Sequence, residues 1–146
     1  MPSWGYPTTF VRFAKTMSGK KKQIAILGST GSIGCQALEV ISEQSDYFEV
    51  SLLTAGSNAD LLISQAKQFK PNMVVIADES KYNQVTDALF DEGIKVYAGS
   101  DAIAQCVQFD SVDIVLTAMV GFSGLVPTIK AIEAKKTIAL ANKETL

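Results

Sequence analysis

Histidine is absent from this 146-residue chain, and its two cysteines, Cys35 and Cys106, form no CxxC pair. These two absences argue against a zinc site, because the soft ligands that usually hold zinc are missing. Without histidine the chain also lacks the Ser-His and Cys-His pairs that activate a nucleophile. Both cysteines occur in segments with periodic apolar residues, and we interpret them as small core residues of a protein from a reducing compartment.

Long apolar runs and an excess of basic charge are also missing. No run approaches the roughly 20 apolar residues of a membrane helix, so we expect no membrane partner. The net charge of −2 offers no basic field for nucleic acid, and no nucleic-acid partner is expected. The composition is 47% hydrophobic, which argues against disorder and is enough for one sizeable core.

Acidic residues are missing from the first 22 positions, which hold five basic ones. The basic residues are Arg12, Lys15, Lys20, Lys21 and Lys22. We interpret residues 1–21 as a solvated, unstructured leader and residues 22–146 as the folded domain. The leader has no continuous apolar segment and is therefore no secretory signal. A bacterial cytoplasmic protein is favoured over a plastid protein, because the leader is too short for a typical transit peptide with its linker.

Short apolar runs alternate with amphipathic stretches from residue 23 onward. The runs, which predict strands, are residues 23–27, 48–54, 73–77, 94–97, 112–117 and 137–141. The first of them, a compact apolar run that ends at a glycine, is typical of a strand buried on both faces. The amphipathic stretches, which predict helices, are residues 32–43, 59–69, 81–90, 100–108 and 124–134. Strands that alternate with helices indicate an α/β fold, a Rossmann-type doubly wound and mainly parallel sheet in three layers.

Three glycines with G-x-x-G-x-x-G spacing directly follow the first predicted strand, namely Gly28, Gly31 and Gly34. Gly28 permits a tight turn, Gly31 the close approach of a phosphate, and Gly34 close packing of the helix on the strand. A helix N-terminus follows, whose free N–H groups and dipole attract anions, and Thr30 and Ser32 add hydroxyl donors. A dinucleotide phosphate site is therefore predicted here. The alternative is a tight turn in a flavodoxin-like domain that binds nothing.

Acidic residues are also missing from the end of the second predicted strand, where NAD-specific proteins usually place Asp or Glu to hold the ribose 2′-hydroxyl. Gly56, Ser57 and Asn58 follow this strand and offer N–H and hydroxyl donors, whereas Asp60 comes too late in the chain. Because a carboxylate would repel a 2′-phosphate, the segment favours NADP over NAD. Asn58 can also cap the following helix, and the two roles are compatible.

Two further segments follow predicted strands at the edge where open α/β sheets bind ligands. Residues 117–124 are rich in small side chains that let the backbone approach a ligand, although a flexible loop explains them equally well. Asn142, Lys143 and Glu144 combine an amide, an ammonium and a carboxylate, which suit ligand binding and proton chemistry. Alone, such a triplet is typical of a surface turn.

Taken together, these segments resemble the 1-deoxy-D-xylulose 5-phosphate reductoisomerase family, in its amino-terminal NADPH-binding domain. The matching segments are ILGSTGSIG at 26–34, AGSN at 55–58, VG at 120–121 and LANKE at 140–144, in the family's order and spacing. The resemblance implies a metal-assisted rearrangement of 1-deoxy-D-xylulose 5-phosphate to an aldehyde. Hydride from NADPH then reduces the aldehyde to 2-C-methyl-D-erythritol 4-phosphate, in the non-mevalonate pathway of isoprenoid synthesis.

The resemblance also implies the roles of individual residues. By this match the phosphates are bound by Thr30, Gly31, Ser32 and Ile33, the adenosine-phosphate end by Gly56, Ser57 and Asn58, further parts of the cofactor by Asn142 and Glu144, and the substrate by Lys143. No catalytic residue and no metal ligand is implied within this chain. Family members often carry Lys or Arg at the position of Ser57, so charge contributes less to holding a 2′-phosphate here.

In the family, the acidic ligands of a divalent metal (Mg or Mn) lie just beyond the position of Glu144, and this chain ends at Leu146. The resemblance thus implies the cofactor-binding part of a longer enzyme that is a homodimer when full length. The part is expected to be cut before the catalytic domain and to be inactive alone. It is also expected to expose an apolar edge where the missing domain packs.

Two other functions stay open on the residues alone. A non-catalytic dinucleotide-sensing module would fold compactly without an exposed apolar edge. Another oxidoreductase with the same glycine spacing, such as an aspartate-semialdehyde dehydrogenase, needs a nucleophilic cysteine in its active site. Neither Cys35, inside the first predicted helix, nor Cys106, before the fifth predicted strand, is well placed for that role.

Overall fold

The computed structural model describes residues 21–119 and 125–140. Its strands are β1 (Lys22–Leu27), β2 (Phe48–Ala55), β3 (Met73–Ile76), β4 (Lys95–Ala98), β5 (Ile114–Thr117) and β6 (Thr137–Leu140). Its α-helices are α1 (Ser32–Glu43), α2 (Ala59–Phe69), α3 (Tyr82–Ala88), α4 (Ser100–Cys106) and α5 (Leu125–Glu133). Short 3-10 turns, Glu79–Lys81 and Phe90–Glu92, precede and follow α3.

The strands form one sheet in the order β4-β3-β2-β1-β5-β6, and every neighbouring pair is parallel. Strands β1 to β4 follow one another from the middle of the sheet to one edge, and β5 and β6 then lie on the other side of β1. The direction in which successive strands are added to the sheet therefore reverses between β1 and β5, although the two strands are parallel. Open α/β sheets bind ligands at such a point, outside the carboxyl ends of the strands. In this register Leu27 lies between Thr54 of β2 and Thr117 of β5.

Alternate residues of β1 face opposite sides of the sheet, and helices cover both sides. Ile24 and Ile26 are buried with side chains of α1, α2 and α3, whereas Ala25 and Leu27 are buried with side chains of α4 and α5. None of the four is accessible to solvent, which explains why the strand is an unbroken apolar run. The prediction of a Rossmann-type α/β fold in three layers is confirmed.

The predicted helices and strands occur, with bounds that differ by a few residues. The third helix starts one residue late, because Asp78 accepts hydrogen bonds from the Ser80 hydroxyl (2.6 Å) and N–H (3.0 Å) and opens a 3-10 turn before α3. These bonds hold the pKa of the exposed Asp78 carboxyl below its usual value. The fifth strand starts at Ile114, since the Val112 N–H turns back to the Phe109 carbonyl (3.0 Å).

Candidate functional site

The turn at residues 28–34, called the glycine turn below, leaves the carboxyl end of β1 beside β5. Gly28 has a φ of +83°, which residues with a side chain rarely adopt. A Cβ there would lie 3.1 Å from the Ala118 carbonyl oxygen and 3.1 Å from Met119 Cγ. The Gly28 N–H donates to Thr54 Oγ1 (3.0 Å), and the Ser29 N–H donates to the Thr54 carbonyl (2.8 Å). The glycine turn is therefore tight, and it is held to β2.

Gly34 lies in the first turn of α1, buried against the start of the glycine turn. A Cβ at this position would lie 2.6 Å from Ser29 Cα and 2.8 Å from the Ser29 carbonyl carbon, and it would also collide with the Gly28 carbonyl oxygen. The close packing predicted for Gly34 is thus present, but it is made against the backbone of the turn and not against the strand. Only glycine fits without movement of that backbone.

The amino end of α1 presents backbone N–H groups to solvent. Gly31 is the N-cap residue, with φ −76° and ψ 171°, and no side chain caps the helix there. Within the described part of the chain, the N–H groups of Thr30, Ser32 and Ile33 have no hydrogen-bond acceptor. The first turn of α1 also has no acidic residue. The positive end of the helix dipole is therefore open to an anion.

Sequence reasoning missed a buried polar pair beneath the glycine turn, Ser29 and Gln65. Ser29 is fully buried, and Gln65 of α2 is 6% exposed. The Ser29 hydroxyl donates to Gln65 Oε1 (2.8 Å), and Gln65 Nε2 donates to the Ser29 carbonyl oxygen (2.9 Å). One signal was available, because Gln65 shares the apolar face of α2 with Leu62 and Phe69. A polar residue on such a face needs buried partners.

Gly56, Ser57 and Asn58 follow β2, and all three are exposed at the carboxyl edge of the sheet. The Asn58 side chain accepts a hydrogen bond from the Leu61 N–H (3.2 Å), so the predicted capping role is confirmed. A Cβ at Gly56 would meet no atom within 4 Å. Because β1 and β2 are neighbours, this segment lies beside the glycine turn, as a dinucleotide site requires.

Part of the predicted site lies outside the described residues. This part comprises residues 120–124 and residues 141–146 with Asn142, Lys143 and Glu144; residues 1–20 of the predicted leader also lie outside the described residues. The described start of the small-residue segment lies beside the start of the glycine turn: the Ala118 N–H donates to the carbonyl of Leu27, the residue before the turn (2.9 Å), and a Cβ at Gly28 would lie 3.1 Å from the Ala118 carbonyl oxygen. Behind it, the Thr117 and Thr128 hydroxyl oxygens are 3.2 Å apart and join β5 to α5.

Neither cysteine has the setting of a nucleophile. Cys106 of α4 is 2% exposed, and burial raises the pKa of its thiol to about 11, so the predicted core role is confirmed. Cys35 is half-buried in α1, with its Sγ 3.7 Å from both the Ser29 carbonyl oxygen and Gln65 Nε2. It therefore packs beneath the glycine turn, on the side away from the open N–H groups. An oxidoreductase with a cysteine nucleophile gains no support.

We expect Cys106 to resist thiol reagents in the native chain. With a pKa of about 11, only about one-thousandth of the thiol is ionised at pH 8, and the thiolate is the reactive form. Titration with dithionitrobenzoate should therefore detect Cys35 first, and Cys106 only in urea. The variant Cys35→Ser is the control, and rapid release of the coloured product from it would contradict the burial of Cys106.

The described ranges contain no group of three or more His, Cys, Asp or Glu side chains that suits a metal ion. We therefore assign no part of a metal site to these residues. None of the helices in these ranges is both long enough and apolar enough to cross a membrane.

Comparison with known proteins gives one consistent result. Residues 24–146 match the family model described as 1-deoxy-D-xylulose 5-phosphate reductoisomerase. Curated proteins of that name include one from Bacteroides thetaiotaomicron, 65% identical over 127 residues, which cover 87% of this chain and 33% of that protein. Another, from Porphyromonas gingivalis, is 60% identical over 126 residues, which cover 86% of this chain and 33% of that protein. The chain spans about a third of the length of the curated relatives it matches.

Solved structures agree in both fold and sequence. A 1-deoxy-D-xylulose 5-phosphate reductoisomerase from Zymomonas mobilis, in complex with NADPH, superposes with a TM-score of 0.80 at 38% identity. The match covers 87% of this chain and 33% of that one. A reductoisomerase in complex with NADPH, fosmidomycin and magnesium superposes with a TM-score of 0.79 at 33% identity, covering 86% of this chain and 31% of that one.

Proposed function

The chain belongs to the 1-deoxy-D-xylulose 5-phosphate reductoisomerase family, and from that premise we propose that residues 22–146 form an NADPH-binding domain with its phosphate site at the glycine turn. The observation that carries the proposal is the amino end of α1, where the N–H groups of Thr30, Ser32 and Ile33 are uncapped and no acid stands in the first turn. A pyrophosphate supplies the acceptors and the negative charge that such a helix end attracts. The NADPH in the matched Zymomonas mobilis structure supports the same ligand here.

We assign the site residues as follows. The pyrophosphate is bound by Thr30, Gly31, Ser32 and Ile33, the adenosine 2′-phosphate by Gly56, Ser57 and Asn58, further parts of the cofactor by Asn142 and Glu144, and the substrate by Lys143 through charge and hydrogen bonding. The two described groups stand at the carboxyl ends of adjacent strands, so one extended dinucleotide can reach both. NADPH supplies hydride when bound, and these residues hold and orient it.

The end of β2 supports NADPH over NADH. Gly56 and Ser57 are exposed and uncharged, so they offer N–H and hydroxyl groups without repelling a 2′-phosphate. The acid that follows, Asp60, accepts a hydrogen bond from Gln84 Nε2 of α3 (2.7 Å). Its carboxylate is therefore held towards α3, which weakens any competing role as a partner of a ribose 2′-hydroxyl.

For the full-length protein we propose the family's reaction, the NADPH-dependent conversion of 1-deoxy-D-xylulose 5-phosphate to 2-C-methyl-D-erythritol 4-phosphate in isoprenoid synthesis. This chain contributes the cofactor-binding part. The divalent metal, Mg or Mn, is held by residues outside this chain. We further propose that the full-length protein is a homodimer, as the family resemblance implies. We place it in the cytoplasm of a bacterium, since the relatives at 60% identity and above are bacterial.

An exposed apolar face on α5 supports a domain of a longer enzyme over an independent sensing module. Four of its side chains are between 44% and 58% exposed, namely Leu125, Val126, Ile129 and Ile132. Small soluble domains rarely leave a contiguous apolar face uncovered. The relatives extend over about two thirds of their length beyond the part that this chain matches. We propose that the corresponding part of the longer protein packs on this face.

The cofactor preference gives the direct test of the proposed site. We expect the chain to bind NADPH more tightly than NADH, and Ser57→Asp to weaken NADPH binding about tenfold or more while leaving NADH binding nearly unchanged. The reason is repulsion of the 2′-phosphate, because like charges about 4 Å apart near a protein surface repel by several kcal/mol before screening. Isothermal titration calorimetry with both cofactors at an ionic strength of about 0.15 M, where the Debye length is about 8 Å, measures the two affinities.

The matched control is Ser64→Asp, which adds the same charge at an exposed position of α2 further along the helix. It should leave both affinities within about twofold of the original chain, because screened charges beyond the Debye length interact little. An original chain that binds NADH as tightly as NADPH would refute the assignment of the 2′-phosphate to the end of β2. If the original chain binds neither cofactor, the proposed function of the domain is refuted.

A further inference from the structure

Gln65 reaches from α2 to the backbone of the glycine turn, although it lies 36 residues after Ser29 in the sequence. Its Nε2 donates to the Ser29 carbonyl oxygen (2.9 Å), and its Oε1 accepts from the Ser29 hydroxyl (2.8 Å). The same Nε2 lies 3.7 Å from Cys35 Sγ. The opposite orientation of the amide would place Oε1 against the Ser29 carbonyl oxygen, two acceptors in contact. The carbonyl therefore fixes which way the Gln65 amide faces.

The hydrogen bond to the Ser29 carbonyl has a consequence for the next residue. A trans peptide unit is planar, with its C=O and N–H pointing in opposite directions, and the described residues contain no cis peptide bond. Because Gln65 holds the Ser29 carbonyl towards the protein interior, the Thr30 N–H of the same peptide unit points away from the interior. That N–H has no acceptor within the described residues.

The other side of the turn is held by a different element. Thr54 of β2 accepts hydrogen bonds from the Gly28 N–H through its hydroxyl (3.0 Å) and from the Ser29 N–H through its carbonyl (2.8 Å). These bonds fix the peptide units that precede Ser29 Cα. Gln65 alone, among the described residues, holds the peptide unit that follows it by a strong side-chain bond; the Cys35 thiol at 3.7 Å is a weak donor.

We propose that Gln65 is a positioning residue for the phosphate site: it holds the Ser29–Thr30 peptide unit so that the Thr30 N–H faces the pyrophosphate. This inference rests on the proposed NADPH site. Gln65 belongs to the same helix as Asn58, its N-cap, so α2 joins the pyrophosphate end of the site to the 2′-phosphate end. Its contribution is specific to the pyrophosphate, because the residues near the 2′-phosphate do not depend on the Ser29 carbonyl.

The test compares two ligands and three variants of the 146-residue chain. NADPH contains the pyrophosphate, whereas adenosine 2′-monophosphate carries only the 2′-phosphate end. Gln65→Met removes both hydrogen bonds at similar length, and Gln65→Glu, when ionised, keeps an acceptor for the Ser29 hydroxyl but loses the donor to its carbonyl. Both should weaken NADPH binding about tenfold and change binding of the monophosphate less than about twofold. Ser29→Ala keeps the carbonyl bond and should change both affinities less than about twofold.

Equal weakening of both ligands in the Gln65 variants would show a merely structural role and overturn the inference. So would unchanged NADPH binding by Gln65→Met, while absence of NADPH binding by the original chain would refute the proposed function itself. If the Gln65 variants do not fold, ¹⁵N NMR of the original chain replaces them. NADPH should shift the Thr30 amide and Gln65 side-chain amide signals and the monophosphate should shift neither; NADPH binding without those shifts overturns the inference.

Discussion

Substituting alanine for Gly34 is expected to lower the free energy of unfolding by about 2 kcal/mol and to abolish NADPH binding. The added Cβ would lie 2.6 Å from Ser29 Cα and 2.8 Å from the Ser29 carbonyl carbon. These are backbone atoms of a turn that is tied to Thr54 and Gln65, so the turn cannot yield without losing hydrogen bonds. Alanine is intrinsically favoured over glycine in helices by about 1 kcal/mol, so a net loss means that the steric term dominates. Urea denaturation measures the change.

Gly56→Ala is the control for the Gly34 substitution. Its Cβ would meet no atom within 4 Å, so we expect the free energy of unfolding to stay level or to rise by about 0.5 kcal/mol through a less flexible unfolded chain. A Gly34→Ala chain as stable as the original would show that α1 can move away from the glycine turn. In that case, α1 would not need to pack this closely on the turn.

The positions of the strands could be predicted because a strand that is buried on both faces is a continuous run of apolar residues. β1 is an apolar run with no polar interruption from Ile24 to Leu27, and it ends at a glycine that only a tight turn explains. Gly28 and Gly34 could be assigned their roles for the same reason, since both are positions where a side chain meets backbone. The strand order across the sheet follows from contacts between residues far apart in the sequence, and no local pattern reports them.

Gln65 shows where prediction from local sequence stops. The place of Gln65 on the apolar face of α2 indicates that it needs a buried partner, but the sequence does not identify that partner, Ser29, which lies 36 residues earlier in the chain. Only the packing of α2 beneath the glycine turn brings the two together. The open N–H groups at the start of α1 could likewise be predicted only in part. The sequence shows that Gly31 has no side chain to cap the helix, but whether a ligand can reach these N–H groups depends on the neighbouring strands.

Replacing Gly31 with aspartate is expected to weaken NADPH binding about 100-fold or more while leaving the chain as stable as before, or more stable by about 0.5 kcal/mol. Gly31 is the N-cap of α1, its φ of −76° and ψ of 171° suit any residue, and an added Cβ makes only an ordinary contact, 3.7 Å from the Gly28 carbonyl oxygen. An aspartate carboxylate there would accept hydrogen bonds from the open N–H groups of α1 and favour the helix dipole. The same carboxylate would occupy the position of the phosphate and repel it.

Opposite signs for stability and binding distinguish this prediction from a general disruption of the fold, which would lower both. Gly31→Asn separates charge from shape, because asparagine caps a helix about as well as aspartate but carries no charge. Its NADPH affinity should fall between those of the original chain and the aspartate variant, and its stability should match the latter within about 0.5 kcal/mol. If the aspartate variant binds NADPH as the original chain does, the phosphate does not lie at the amino end of α1. The open N–H groups there would then need another explanation, since a helix end that forgoes an available cap gains nothing in stability by doing so.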